Sequence, residues 1–242
     1  MSKFIYANPS FRLPSIYRFP ERGKVPDFQT FSSLLRMTAK YEMPAVRSQL
    51  LEIIRDAYPE TFGALTPTKL LGEAIFPGPG PHPNEVLGLF VQQEFTPALP
   101  MAYYMAVRRG VDSLMDRRLP QSATLSPGTL QSAVKGLIAL RQLELDETYN
   151  LVLGLKAPHQ CSSAKCPSRT ATGPRVSDAH RKVIDRITAS SQSGTKILEV
   201  LWLSEDDSGG FCESCVKEWE AGHAEVRKRA WDMLQKAFGL KG

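Results

Sequence analysis

The sequence predicts a mainly α-helical fold of stacked helical hairpins, with a cysteine-rich, zinc-stabilised C-terminal module and a long terminal helix. Apolar residues recur at the three- and four-residue spacing of a helix over most of the chain up to residue 157. Prolines and glycines fall between these stretches, and few stretches alternate as β-strands do. The composition, 42% hydrophobic and 23% charged over 242 residues, is that of a globular protein with one sizeable core or two modest ones.

The chain opens with an extended lead-in whose prolines each remove a backbone donor and restrict the preceding residue. The organisation then predicted is a lead-in over 1–26, a helical hairpin over 27–62, a helical region over 63–157 and a cysteine-paired module with an amphipathic helix over 158–242.

The hairpin consists of two helices joined by a short connection. The first is capped by Asp27 or Thr30 and ends near Tyr41, and the second begins at Pro44 and ends at Pro59. Their apolar faces comprise Phe31, Leu34, Leu35 and Thr38 in the first helix and Val46, Leu50, Ile53, Ile54 and Ala57 in the second.

The helical region contains one loop and several further helices. A short helix follows Thr66, and the Pro/Gly-rich residues 76–83 form a surface loop or hinge. Asn84 is the expected N-cap of the next helix. A single helix is then predicted from Met101 to about Met115, and another from Ser126–Pro127 that carries Leu130, Val134, Leu137, Ile138 and Leu145.

The C-terminal module changes in composition. Residues 158–176 are rich in Ser, Thr, Pro and basic residues, as loops are, and a helix follows over about 177–190. The apolar run 197–203 fits a strand or a buried helical segment. The last 27 or so residues predict an amphipathic helix with Cys215, Trp219, His223, Val226, Ala230, Leu234 and Phe238 along one side.

Four cysteines form two pairs, Cys161 with Cys166 and Cys212 with Cys215, separated by 45 residues. Zinc binds four thiolate or imidazole ligands in a tetrahedron, and a CxxC turn supplies two of them. Both pairs lie in turn-rich segments, so the favoured interpretation is a structural zinc bound by all four sulfurs. His159 is a substitute ligand if one cysteine does not bind.

Two alternatives remain for these cysteines. A redox dithiol at Cys212 and Cys215 fits a pair that precedes a helix, but it lacks the βαβ surroundings of such sites and leaves the other pair unexplained. The second alternative is that the four cysteines are unlinked, reduced thiols with no shared role.

No sequence signature of catalysis is present. The P-loop, the nucleophile elbow and the HExxH motif do not occur, and the four histidines are scattered. The Glu205–Asp207 triplet is typical of a solvated acidic turn. The arginine pairs at 108–109 and 117–118 and the basic run 227–229 favour helix surface charge over a nucleic-acid site. The terminal helix stripe fits docking onto its own domain better than binding a partner helix.

The net charge of +5 permits contact with nucleic acid but does not require it. No apolar run approaches 18 residues and the first 25 residues lack the apolar core of a signal peptide. The sequence therefore predicts an intracellular, soluble protein of the cytoplasm or nucleus, in which cysteines stay reduced or bind metal.

A resemblance to a known family rests on several segments in a fixed order. The segment FSSLLRMTAKYEMP (31–44), followed by Arg47 and AYP (57–59), resembles the end of the BTB/POZ domain in the large fungal, especially basidiomycete, BTB family. Later segments agree in order: LPMAYY (99–104), the helix from LSP (125–127) to Gly136 and Leu140, the paired cysteines, and WDMLQKAFGL (231–240). The similarity covers about residues 28–242.

The resemblance implies a non-enzymatic protein–protein interaction or adaptor protein. Only the proline-rich residues 1–26 stand where a BTB domain has its strand-rich half, which holds the dimer and partner surfaces. The resemblance therefore leaves BTB-type homodimerisation open, because the usual BTB dimer surface is largely missing. The alternatives are a nucleic-acid or transcription-associated zinc protein and a thiol redox protein.

Overall fold

The computed structural model describes residues 25–66, 69, 76–78, 80–116, 119–154, 194–199 and 213–240. This part of the chain is mainly helical and contains no strand, which confirms the predicted mainly α class. Its helices are α1 (Phe28–Lys40), α2 (Pro44–Ala57), α3 (Pro83–Gln92), α4 (Leu99–Val107), α5 (Val111–Leu114), α6 (Pro127–Gly154) and α7 (Glu213–Ala237), with short 3₁₀ turns at Phe62–Ala64, Thr96–Ala98 and Gln121–Ala123. Apart from residue 69, the predicted helix after Thr66 lies outside the described residues, and so does the predicted helix over 177–190. Of the apolar run 197–203, only residues 197–199 are described.

Helices α1 and α2 form the predicted hairpin. Asp27 is the cap of α1, since its Oδ1 accepts a hydrogen bond from the Thr30 backbone N–H at 2.9 Å. Pro44 occupies the first turn of α2, where no intrahelical N–H donor is needed. The predicted faces are buried at Phe31, Leu35, Thr38, Leu50, Ile54 and Ala57.

The cap of α3 differs from the prediction. His82, not Asn84, is the N-cap, because Pro83 occupies the first helical position and holds the residue before it in an extended conformation. His82 Nδ1 accepts from the Asn84 N–H at 3.2 Å, and Glu85 Oε2 accepts from the His82 N–H at 3.1 Å. Asn84 is instead buried and donates through Nδ2 to the Leu114 carbonyl at 3.2 Å.

The prediction of one continuous helix over Met101–Met115 was wrong. Gly110 has φ of +88°, a left-handed value that favours glycine, and it separates α4 from the short α5. Helix α4 is buried on nearly all sides, and its residues Tyr103 and Tyr104 lie in the centre of the core.

Helices α6 and α7 pack against each other and against α4. The face of α7 that was predicted to be apolar is buried at Val226, Ala230, Leu234 and Phe238, and the Phe238 ring stacks on Tyr103 with centroids 4.8 Å apart. Gly136 of α6 leaves room for that ring, because a Cβ at this position would clash with Phe238. The apolar residues Ile138 and Leu145 of α6 face outward, at 64% and 47% exposure. No described helix is long and apolar enough to cross a membrane.

Candidate functional site

The proposed metal ligands fall almost entirely outside the described residues. Cys161, Cys166, Cys212 and the substitute His159 are among the residues that the structure does not describe, and Cys215 lies in the first turn of α7. Among the described residues, no group of three or more His, Cys, Asp or Glu side chains is arranged to hold a metal. The zinc site therefore stays a prediction. The structural information relevant to it comes from α6 and α7, the described helices before and after the cysteine segments.

Helices α6 and α7 run antiparallel. Gly136 lies against Phe238 near one end of the pair, and Glu147 bonds to Arg229 at 2.8 Å further along. As residue numbers rise along α6, the numbers of the residues opposite them on α7 fall. The C-terminal end of α6 and the N-terminal end of α7 therefore lie at the same end of the pair.

The register allows an estimate of the distance between the two cysteine segments. Extrapolating from these contacts places Gly154, the last residue of α6, opposite about residue 221, so α7 extends roughly 12 Å beyond it. The axes of packed helices are about 10 Å apart. The seven residues from Gly154 to Cys161 span up to about 23 Å when extended, which is enough to reach the start of α7.

A short segment, Gly194–Glu199, is bound at the junction of α4, α6 and α7, and we call it the tie segment. Its backbone receives hydrogen bonds from Arg141 Nη1 to the Gly194 carbonyl at 2.6 Å and from Arg227 Nε to the Leu198 carbonyl at 2.9 Å. Its own N–H groups donate to Glu144 Oε1 from Lys196 (3.1 Å) and to the Tyr104 hydroxyl from Leu198 (3.3 Å), and Glu199 pairs with Arg108 at 2.8 Å. The tie segment thus fastens α4, α6 and α7 to one another near the middle of the α6–α7 pair.

Burial sets the electrostatics of this junction. Glu144 is only 4% exposed and its Oε2 has no hydrogen-bond partner, so burial raises the pKa of its carboxyl group. Burial, assisted by the charge of Arg227, lowers the pKa of His223 on α7 to about 4. Both groups are therefore held towards their neutral forms, as expected of structural residues in a core.

Sequence reasoning missed this junction. It assigned Arg108 and the run 227–229 to helix surface charge, whereas Arg108 pairs with Glu199 and Arg227 donates to the tie segment and lies over the Phe62 ring. One signal was available: Glu144 follows Leu137 and Leu140 at helical spacing, so it stands on the buried face of α6.

A serine and a histidine lie close together, as a catalytic nucleophile and its base do, but the histidine cannot act as the base. Ser113 Oγ lies 3.5 Å from His82 Nε2. Because His82 Nδ1 accepts the Asn84 N–H, the proton of a neutral ring is on Nε2, and this nitrogen cannot take a proton from the serine. The contact fastens the Pro/Gly loop to α5. His159 and His180 lie outside the described residues.

A groove of about 510 Å³ lies between the start of α1 and the Pro/Gly loop. Both carboxylates in its lining serve as caps, Asp27 for α1 and Glu85 for α3. The groove thus has no acid–base pair arranged for catalysis among its described residues.

Comparison with known proteins gives no further assignment: no family model, no curated protein and no solved structure matches the chain.

Proposed function

We propose that this chain is a non-enzymatic protein–protein interaction or adaptor protein of the fungal BTB type, in which a structural zinc joins the ends of α6 and α7. The observation that carries the proposal is the antiparallel register of these helices, which puts Gly154, at the end of α6, and Glu213, at the start of α7, at the same end of the pair. Zinc bound there by Cys161, Cys166, Cys212 and Cys215 stabilises the position of α7 on the helical body.

The interaction role is supported by the exposed side of the LLRMTAKY segment (34–41). Leu35 and Thr38 are buried in the hairpin, whereas Met37 and Tyr41, four residues apart, are 42% and 59% exposed. Two large apolar side chains on one exposed turn suit a contact with another protein. This is the same segment that resembles the end of the BTB domain.

Three of the basic residues on which the nucleic-acid alternative depends make contacts within the fold. Arg108, Arg227 and Arg229 are engaged with Glu199, Leu198 and Glu147 within the fold, so they do not form a free basic face.

The zinc is tested by metal analysis and X-ray absorption on the purified full chain. We expect about one zinc per chain with four sulfur ligands at about 2.3 Å, and loss of the metal in Cys212→Ser. The matched control is His159→Ala, which should keep the zinc; three sulfurs and one nitrogen in the wild type, together with loss of the zinc in His159→Ala, would assign His159 as a ligand in place of one cysteine. A folded, metal-free protein would contradict the site, and rapid alkylation of Cys212 at neutral pH would then favour the redox alternative.

The interaction role is tested by capturing proteins from fungal extract with the tagged full chain. Tyr41→Glu places a charge on the exposed turn of α1, and Met115→Glu is the control at another exposed apolar residue, 58% exposed. We expect one set of partners to be captured by the wild type and the control and lost with Tyr41→Glu, while circular dichroism stays unchanged. An unaltered set with Tyr41→Glu would contradict the proposed surface.

A further inference from the structure

Helix α6 has a second apolar face, directed away from the core. Ile138 and Leu145 are 64% and 47% exposed, and residues seven apart lie on the same side of a helix. The opposite side of α6 is buried at Ala133, Leu137 and Leu140 against α4 and α7. Two large aliphatic side chains on one exposed stripe are the pattern of a helix that packs against another helix.

The charges at the two ends of this stripe are opposite. Lys135 is exposed at the N-terminal end and has no ion-pair partner in the described part of the chain. Asp146 is exposed at the C-terminal end, where it accepts a hydrogen bond from the neutral amide of Gln142 at 2.9 Å. Along the helix, the stripe therefore consists of a positive residue, Lys135, two apolar residues, and a negative residue, Asp146.

We propose that this face of α6 binds the same face of a second copy of the chain, with the two helices antiparallel about a two-fold axis near residues 141–142. In this arrangement Ile138 of each copy packs on Leu145 of the other. Lys135 then lies within about 3 Å, measured along the helix axis, of the level of Asp146 in the second copy, a distance that a lysine side chain spans. The Ile138–Leu145 contact and the Lys135–Asp146 pair thus each occur twice in the dimer.

Self-complementarity is the argument for a second copy over a different partner. A two-fold interface uses one patch on both subunits, so a patch must match its own inverted image. The order of Lys135, Ile138, Leu145 and Asp146 meets this requirement. Because the apolar area is small, we expect a weak dimer with a dissociation constant on the order of 10 μM.

Sedimentation of the full chain from about 1 to about 200 μM tests the interface. The wild type should pass from monomer to dimer, and Ile138→Glu should weaken association at least about tenfold, since it places two unpaired carboxylates in the contact. Met115→Glu is the matched control and should associate as the wild type does. A wild type that stays monomeric throughout, or an Ile138→Glu variant that dimerises normally, would overturn the proposal.

Charge reversal tests the antiparallel register. Lys135→Glu alone or Asp146→Lys alone places like charges opposite each other and should weaken the dimer. Combining them restores opposite charges across the interface, so the double variant should dimerise more tightly than either single one at low salt. A double variant no tighter than the single ones would overturn this register. Zinc content should be unchanged in all variants, so the dimer stands or falls separately from the zinc site.

Discussion

Glu144 is an acidic residue with one carboxyl oxygen bonded to the Lys196 N–H and the other buried without a partner. Burial raises the pKa of this carboxyl group above its ordinary value and outweighs the lowering effects of the Lys196 N–H, the Thr195 side chain and the charge of Arg141. A raised pKa means that the folded protein binds the proton more tightly than the unfolded chain does. The resulting stability is fully present below about pH 4.5 and is lost as the pH rises through the folded pKa.

We therefore expect Glu144→Gln to gain stability relative to the wild type as the pH rises from about 4.5 to about 8. The amide keeps an oxygen for the Lys196 N–H and carries no charge at any of these pH values. Urea unfolding of both proteins across this range measures the difference. His223, whose contribution is lost as the pH falls from about 6.5 towards about 4, is common to both proteins and cancels. A difference that does not change with pH would show that folding does not raise the pKa of Glu144.

At the scale of single elements, α3 depends on the imidazole that caps it. Replacing His82 by Ala removes the acceptor for the Asn84 N–H, which should cost about 1 kcal/mol of unfolding free energy. His82→Asn is the matched control, because asparagine is a strong N-cap residue and should keep most of the stability. Urea titrations at neutral pH measure both variants. Equal losses in the two would show that the Ser113 contact, and not the cap, is what matters.

The bounds of most elements were predictable from local signals. Asp27, Pro44 and Pro127 sit where cap and first-turn preferences place them, so α1, α2 and α6 begin as expected. The errors came where two local signals competed. Asn84 is the better cap residue in general, but Pro83 fixed the helix start two residues earlier, and the apolar residues at helical spacing over 101–115 concealed the break at Gly110.

At the scale of the whole molecule, the sequence predicted the mainly α class and the buried side of the terminal helix, since both follow from spacing along the chain. It did not predict the pairing of α6 with α7 or the docking of the tie segment. These depend on contacts such as Arg108 with Glu199, 91 residues apart, and no local pattern encodes them. The candidate zinc ligands were likewise found from spacing, and their meeting in space stays a prediction.

The tie segment also has a consequence for the order of folding. The α1–α2 hairpin closes a short loop, whereas the bonds of the tie segment to Arg141, Glu144 and Tyr104 close loops of 53, 52 and 94 residues. Closing a longer loop costs more chain entropy, and distant contacts form more slowly than local ones. We expect the α1–α2 hairpin to form early and both the tie segment and α7 to dock later, because the contacts of α7, such as Phe238 with Tyr103, also join distant parts of the chain.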